Sequence, residues 1–335
     1  MTIDSKYWLK KRVLITGATG FLGYHLCQLL IQQGCRVKAI VRELSRAQRL
    51  RDIGVNCVQN SCADIDSLAS EFSDTEILFH LAGLVDFQES IDILKRGNVE
   101  LTKAVLQAAQ KAEIPRFVHT SSIVAIGASQ TKRGLNEEDR WELQSLNIPY
   151  INSKREGELL ALSSSNSKMN VVVVNPASVI GPEDWTTSEF GRLCRRYWHG
   201  QIRFYFRGGA NFVDVRDTAI GYLLAAQNGR ERERYILSGT NRTFREFFAD
   251  LAAIGQHRRW CLPLPLFVAK TGATLAARLR KKKKKHPRLS IDQAKMLGWY
   301  FFYDHAKATR ELNYQPRPWS ETIQDTYQFW MKRAG

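Results

Sequence analysis

Tyr150 and Lys154 stand four residues apart in Tyr150-Ile151-Asn152-Ser153-Lys154. On a helix that spacing puts a phenol and an ammonium on one face, a turn apart. A free tyrosine ionises near pH ~10 and is a poor base at neutrality. A neighbouring cation favours the phenolate and lowers that pKa. A phenol tuned this way can give or take a proton in a carbonyl–alcohol interconversion. The same spacing arises by chance on surface helices, so it gains weight only from what surrounds it. Upstream, Thr120-Ser121-Ser122 closes the apolar run Phe117-Val118-His119. A hydroxyl at the carboxyl end of a parallel strand lies where such sheets bind ligands, and Ser122 can steady charge on a substrate oxygen.

A second chemical feature lies near the start. Val13-Leu14-Ile15 runs straight into Gly17, Gly20 and Gly23, and Leu22, Leu26, Leu29 and Leu30 then follow at helical spacing. Such glycines allow a tight turn, a close approach to a pyrophosphate and close helix–strand packing. The helix start offers unpaired N–H groups and a positive dipole to that anion. Strand, turn and helix in this order predict a dinucleotide site. An NAD site usually carries an acid at the end of the second strand, for the ribose 2′-hydroxyl. Counting 18 residues past Gly23 reaches Val41, with Arg42 next and Arg46 close by. Arg42 can grip a 2′-phosphate through charge-assisted bonds, which predicts NADP over NAD. A solvent-facing Arg42 at a strand end is the alternative, and Glu43 beside it opposes a phosphate.

These groups need a scaffold. Cys35 to Val41, Val55 to Val58, Ile77 to Phe79, Phe117 to His119 and Val171 to Val174 read as strands, with a helical period from Glu100 to Ala112. Alternating strands and helices imply parallel strands with right-handed crossovers. Near-continuous apolar runs match strands covered on both faces. The expected fold is α/β, a doubly wound parallel (Rossmann) sheet over residues 11–178 with a return segment near 211–237. Residues 179–210 and 238–335 are expected to form a smaller, mostly helical substrate lobe. Trp185, Phe190, Tyr197, Trp198, Phe204, Tyr205 and Phe206 open that lobe. They suit a flat or apolar ligand, although core packing is the commoner use of aromatics.

Composition bounds the rest. A chain of 335 residues with 44% apolar content has material for about two domains and a sizeable core. Its six cysteines form no C-x-x-C pair and read as free thiols in a reducing compartment, without a metal framework. No signal-peptide core and no uncharged apolar stretch of spanning length is seen, so a cytoplasmic location is expected. The net charge of +16 is uneven: residues 1–175 hold 21 Lys/Arg and 19 Asp/Glu, and residues 176–335 hold 28 and 14. The peak, Arg278 to Arg288, contains Lys281 to Lys285 and follows the mildly apolar stretch Leu262 to Leu279. It reads either as a solvated loop or as a peripheral contact with anionic membrane. No nucleic-acid partner is expected.

Together these residues resemble the extended branch of the short-chain dehydrogenase/reductase superfamily, over nearly the whole chain. The resemblance rests on TGATGFLG (Thr16 to Gly23), HLAG (His80 to Gly83), GNVELTKAVLQAA (Gly97 to Ala109), RFVHTSS (Arg116 to Ser122), PYINSK (Pro149 to Lys154), NPASVIGP (Asn175 to Pro182) and FVDVRD (Phe212 to Asp217). It is closest to the dihydroflavonol-reductase-like and sterol-dehydrogenase-like members. The resemblance implies that Tyr150 is the acid/base, that Lys154 holds the nicotinamide ribose and tunes the phenol, and that Ser122, five before Gly127, is the serine, with Ser121 the lesser candidate. It implies a cofactor cradle of Gly17, Thr19, Gly20, Phe21, Leu22 and Gly23. Leu81, Ala82 and Gly83 would line the ribose region, Asp64 and Ile65 the adenine, and Asn175, Pro176, Ala177 and Val179 the nicotinamide. Asn98 would support the site or pack a helix start, and Asp217 would be structural. Members act on small molecules and are often homodimers. A nucleotide-sugar epimerase or dehydratase that retains NAD is the second reading, although no acid follows Ser122. A non-catalytic cofactor-sensing or assembly protein is the third; it lacks support because Ser122, Tyr150 and Lys154 are all present.

Overall fold

The computed structural model describes every residue except 2, 63, 256–260, 269–270, 272–289 and 333–335. The basic run at 281–285 therefore lies outside the described residues. Apolar runs in the first half become β1 (Arg12–Thr16), β2 (Arg36–Val41), β3 (Asn56–Gln59), β4 (Ile77–His80), β5 (Arg116–Thr120) and β6 (Asn170–Pro176). Further along come β7 (Ser178–Ile180), β8 (Phe204–Phe206), β9 (Gly209–Asp214), β10 (Arg234–Leu237), β11 (Thr240–Thr243), β12 (Leu262–Leu264) and β13 (Tyr300–Phe301). The first six and β10 make one seven-stranded sheet in the order β10-β6-β5-β4-β1-β2-β3. All its pairs are parallel.

Side chains alternate across that sheet and both faces are covered. Val13 and Ile15 join Val37, Ala39, Val41 and Phe79 in one apolar layer. Leu14 faces the other way and joins Ile40, Leu78, Phe117 and Val171. Strand order turns at β1: β2 and β3 lie on one side, β4 to β6 on the other. The crevice beyond the carboxyl ends of β1 and β4 is thus the switch point where such sheets take ligands.

Two elements set the site beside that crevice. The helix Phe21–Gln32 starts from Gly20 and lies against β1. The helix Pro149–Ser163 has Pro at its first turn, where a missing N–H costs nothing. Its buried face carries Tyr150, Lys154, Gly157, Glu158 and Ala161 at i, i+4, i+7, i+8 and i+11. A Cβ at Gly157 would come within 2.6 Å of the Asn98 carbonyl oxygen, so glycine lets this helix press onto the π-helical turn Arg96–Glu100.

The second half carries the helices Glu189–Trp198, Val215–Asn228, Phe244–Ile254 and Trp319–Lys332. It also holds a small sheet absent from the sequence reading: β9 pairs parallel with β7 and β13 and antiparallel with β11. A separate pair joins β12 to β8. Phe212 and Phe247 stack at 4.4 Å, with Phe190 and Trp319 against them. Tyr197 and Trp198 are 1% and 2% exposed, so these two aromatics build core. Trp185 and Phe204 remain exposed.

Candidate active site

β1 ends in Thr16 and the chain turns at Gly17, whose φ is +76°. A Cβ there would lie 2.5 Å from the Ala82 nitrogen; one at Gly23 would lie 2.3 Å from the Gly17 carbonyl oxygen. Both glycines are therefore required by the chain's own packing. Gly20 differs. Its φ is −78° and its Cβ would meet only the Gly17 oxygen, at 3.3 Å. That leaves its outer side open, as a cradle for an anion needs. Thr19 is exposed, and Phe21 and Leu22 half-buried, at the same mouth.

His80 joins this turn to the next. Thr16 Oγ1 lies 2.7 Å from His80 Nδ1, and His80 Nε2 lies 3.1 Å from Thr102 Oγ1. Thr102 Oγ1 donates to the Asn98 carbonyl, and the Ala82 N–H donates to Thr16 Oγ1. That network is satisfied when His80 carries its proton on Nε2. Full burial pushes its pKa down to about 3, so the ring is neutral. His119 stacks on it at 5.5 Å and is held neutral by the same burial, and neither of its ring nitrogens has a hydrogen-bond partner.

Ser122 caps the short turn Ile123–Ala125, accepting from the Val124 N–H. Its hydroxyl faces the Tyr150 phenol closely enough to favour the phenol's ionised form. Ser121 is buried and its Oγ has no partner, so Ser122 is the hydroxyl that meets the tyrosine. Phe87 packs edge-on against the Tyr150 ring at 4.7 Å. Lys154 Nζ donates to the Thr120 carbonyl at 2.8 Å. It lies 3.9 Å from the position a Cβ on Gly83 would take, so the ammonium borders the β4 turn.

The electrostatics correct one expectation. Burial raises the Tyr150 pKa to about 12; the nearby Ser122 hydroxyl opposes this and the Glu189 charge adds to it. Burial likewise lowers the Lys154 ammonium to about 8, against the pull of Glu158. Desolvation dominates both shifts because the two groups sit in the same dry helix face, and Nζ is turned toward the Thr120 carbonyl.

The remaining expected residues fall as follows. Leu81 and Ala82 are half-buried and Gly83 exposed at the end of β4. Arg42 is exposed just past β2. Its charge acts on Cys62 across the crevice, where the loop after β3 leads to Asp64. Asp64 caps the helix Ile65–Glu71 by accepting from the Asp66 N–H, while Ile65 packs against the core of that face. Pro176 and Ala177 are buried and Val179 is half-buried below the site. Asn175 is wholly buried behind Ser122; its amide nitrogen donates to the Ser122 carbonyl (2.9 Å) and to Glu158, and its Oδ1 has no partner. Asn98 is a bracket, bonded to both polar groups of the Leu84 backbone and to Ser153. Asp217 pairs with Arg317, which fits a structural role.

Sequence reasoning missed Glu189, Glu158 and Phe87. Glu189 opens the helix Glu189–Trp198, and its Oε1 accepts from Gln293 at 2.5 Å. No short motif marks it, because long-range folding brings it toward Tyr150. Glu158 did carry a signal: it is one turn past Lys154 on the same face. Among the described residues no cluster could hold a metal ion.

A crevice at the switch point of a parallel sheet, with half-buried Ser122 and buried Tyr150 and Lys154 beside it, fits a short-chain dehydrogenase/reductase architecture. The comparisons agree. Residues 13–238 match the NAD dependent epimerase/dehydratase family, and the chain belongs to that family, as an extended short-chain dehydrogenase/reductase. It is similar to a putative dihydroflavonol 4-reductase of Synechocystis sp., at 32% identity, covering 96% of this chain and 94% of that one. It is also similar to the sterol demethylase protein B of Methylococcus capsulatus, at 29% identity over 96% and 98%. Among solved structures, gox2253 superposes with a TM-score of 0.85 at 25% identity, covering 97% and 99%. No helix among the described residues is long and apolar enough to cross a membrane.

Proposed function

We propose that this protein is an NADP-dependent oxidoreductase that interconverts a carbonyl and a secondary alcohol on a small apolar or polycyclic substrate. The observation that carries this reading is the convergence of Ser122 on the Tyr150 phenol, with Lys154 one turn along the same buried helix face and bordering the Gly83 turn. The open Gly20 cradle and the exposed Arg42 past β2 fit an NADP-type dinucleotide. When bound, that cofactor supplies the hydride. The chain's own groups do the rest. Gly17, Gly20 and Gly23, with the start of the helix Phe21–Gln32, hold the pyrophosphate. Lys154 holds the ribose hydroxyls. Ser122 and Tyr150 hydrogen-bond the carbonyl oxygen. Tyr150, fully protonated at neutral pH, donates its proton to that oxygen, and Lys154 stabilises the phenolate left behind.

In this reading residues 11–178 and 211–237 carry the cofactor, while 179–210 and 238–335 shape the substrate pocket. Support for an apolar substrate comes from Phe87 against Tyr150. The names of the two relatives point the same way. Tyr150→Phe tests the mechanism: it should bind NADPH as wild type does and lose turnover on a ketone panel by about 10²-fold or more. Undiminished turnover refutes it. Tightly bound NAD in the purified protein, read by absorbance after denaturation, favours an epimerase instead.

A further inference from the structure

One buried carboxylate has no part in the chemistry above. Glu158 is 0% exposed and lies one turn past Lys154 on the helix Pro149–Ser163. Its Oε1 accepts from Arg155 Nη1 at 3.1 Å and from Arg234 Nη1 at 2.9 Å. Its Oε2 accepts from Asn175 Nδ2 at 2.5 Å. The same Asn175 amide donates to the Ser122 carbonyl at 2.9 Å, and Arg155 Nη1 donates to the Ala125 carbonyl at 3.1 Å. Four segments thus converge on this carboxylate: the catalytic helix, the turn after β5 that bears Ser122, β6 through Asn175 and β10 through Arg234.

Charge sharpens the argument. Arg155, Arg234 and Lys154 outnumber Glu158 by three to one in this region. The groups facing Lys154 from β4 and β5 are His80 and His119, both neutral through burial, and Tyr150 shares its helix face. Glu158 is the carboxylate whose charge acts on the ammonium. A cation buried without a counter-charge sheds its proton more readily.

We propose that Glu158 is a positioning residue of the active site: through Asn175 it fixes the backbone that presents Ser122, and from one turn along the same buried helix face it stands as the counter-charge to Lys154. This rests on the roles given above to Lys154 and Ser122. It extends them to a residue that touches neither substrate nor cofactor.

The test uses the full-length, cofactor-free protein first. With ¹³Cε-labelled lysine, the Lys154 signal is identified by its loss in Lys154→Met and followed by NMR against pH. Glu158→Gln should lower the Lys154 midpoint by about one pH unit. Glu158→Asp, which keeps the charge, should restore most of that shift. Arg155→Met, which removes a competing cation and lies nearer the surface, should move the midpoint upward. NADPH fluorescence titrations across the same pH range should show the alkaline loss of affinity moving with the lysine midpoint. An unmoved midpoint in Glu158→Gln overturns the proposal. If Glu158→Gln does not fold, a downward or absent shift in Arg155→Met overturns it. Full NADPH affinity and turnover in Lys154→Met would instead overturn the underlying roles, and the two failures are thereby distinguishable.

Discussion

Gly17 and Gly20 sit three residues apart in one turn, yet substitution by alanine should break different things. At Gly17 the φ of +76° costs an alanine about 1–2 kcal/mol before any contact is counted. Its Cβ would then lie 2.5 Å from the Ala82 nitrogen and 2.6 Å from the Leu81 carbonyl carbon, both rigid backbone. Either β1 or the β4 turn has to move, so Gly17→Ala should destabilise the cofactor-free protein by well over ~1 kcal/mol. At Gly20 the φ of −78° suits any residue and the nearest atom is 3.3 Å away. Loss of glycine at this helix start costs under about 1 kcal/mol. If the backbone at Gly20 approaches a pyrophosphate, the added methyl occupies the ligand's place. Ligand at 100 times its Kd stabilises the wild type by about 2.7 kcal/mol, and a hundredfold loss of affinity leaves about 0.4 kcal/mol. The assay is urea unfolding with and without NADPH at one fixed concentration. Gly20→Ala should match wild type without cofactor and lose nearly all cofactor-induced stabilisation. Gly17→Ala should already unfold early without it. Wild-type cofactor stabilisation in Gly20→Ala would refute the placement of the dinucleotide at this turn.

Three further outcomes are expected. Arg42→Ala should erase a preference for NADPH over NADH of at least about tenfold; equal fluorescence affinities in the wild type would reject that role for Arg42. Ketone reduction needs Tyr150 protonated and Lys154 charged, at about 12 and about 8 respectively, so activity should hold below pH 8 and fall above it as Lys154 loses its proton. Lys154→Arg should carry that limb to higher pH in stopped-flow or steady-state profiles, and an unmoved limb would assign it elsewhere. His80 is depressed to about 3 while an unfolded histidine titrates near ~6.5, so the unfolded state binds the extra proton between those values. Stability is therefore lost as pH falls below about 6.5, by about 2 kcal/mol from this residue at pH 5. Urea midpoints should show the loss, and His80→Asn should reduce it; a pH-independent midpoint would contradict the buried neutral ring.

What the sequence disclosed follows from how locally each feature is encoded. Val13-Leu14-Ile15 and Val171 to Val174 could be read as doubly covered strands because every position in them is buried. Gly17 and Gly23 were legible because their Cβ atoms have no room. The helix carrying Tyr150 and Lys154 was legible through their spacing. The sheet of β7, β9, β11 and β13 was not, since β13 has two residues and β7 three, too short for a period to show. The motif around Asn175 gave no sign that its amide bonds both the Ser122 carbonyl and Glu158, because those partners meet it only through tertiary folding. Glu189 comes near Tyr150 through folding over some forty positions, for which no local pattern exists.

The phenol's acidity shows the limit most sharply. Spacing says that an ammonium stands one turn from Tyr150, and from spacing alone a lowered tyrosine pKa follows. The helix face that brings the two together is also the face that excludes water, and exclusion acts against both charged forms. The phenol goes up to about 12 and the ammonium comes down to about 8, so the pair diverges from its solution values in opposite senses. Lys154 is then the group nearest to neutrality, and whatever holds its proton governs the site's response to pH. That places control with charge around the lysine, at Glu158, Arg155 and Arg234, and away from the tyrosine proposed to make the transfer. The proposed carbonyl reduction would tolerate a poorly acidic phenol: its proton would leave only as negative charge grows on the substrate oxygen, with Ser122 and Lys154 meeting that charge.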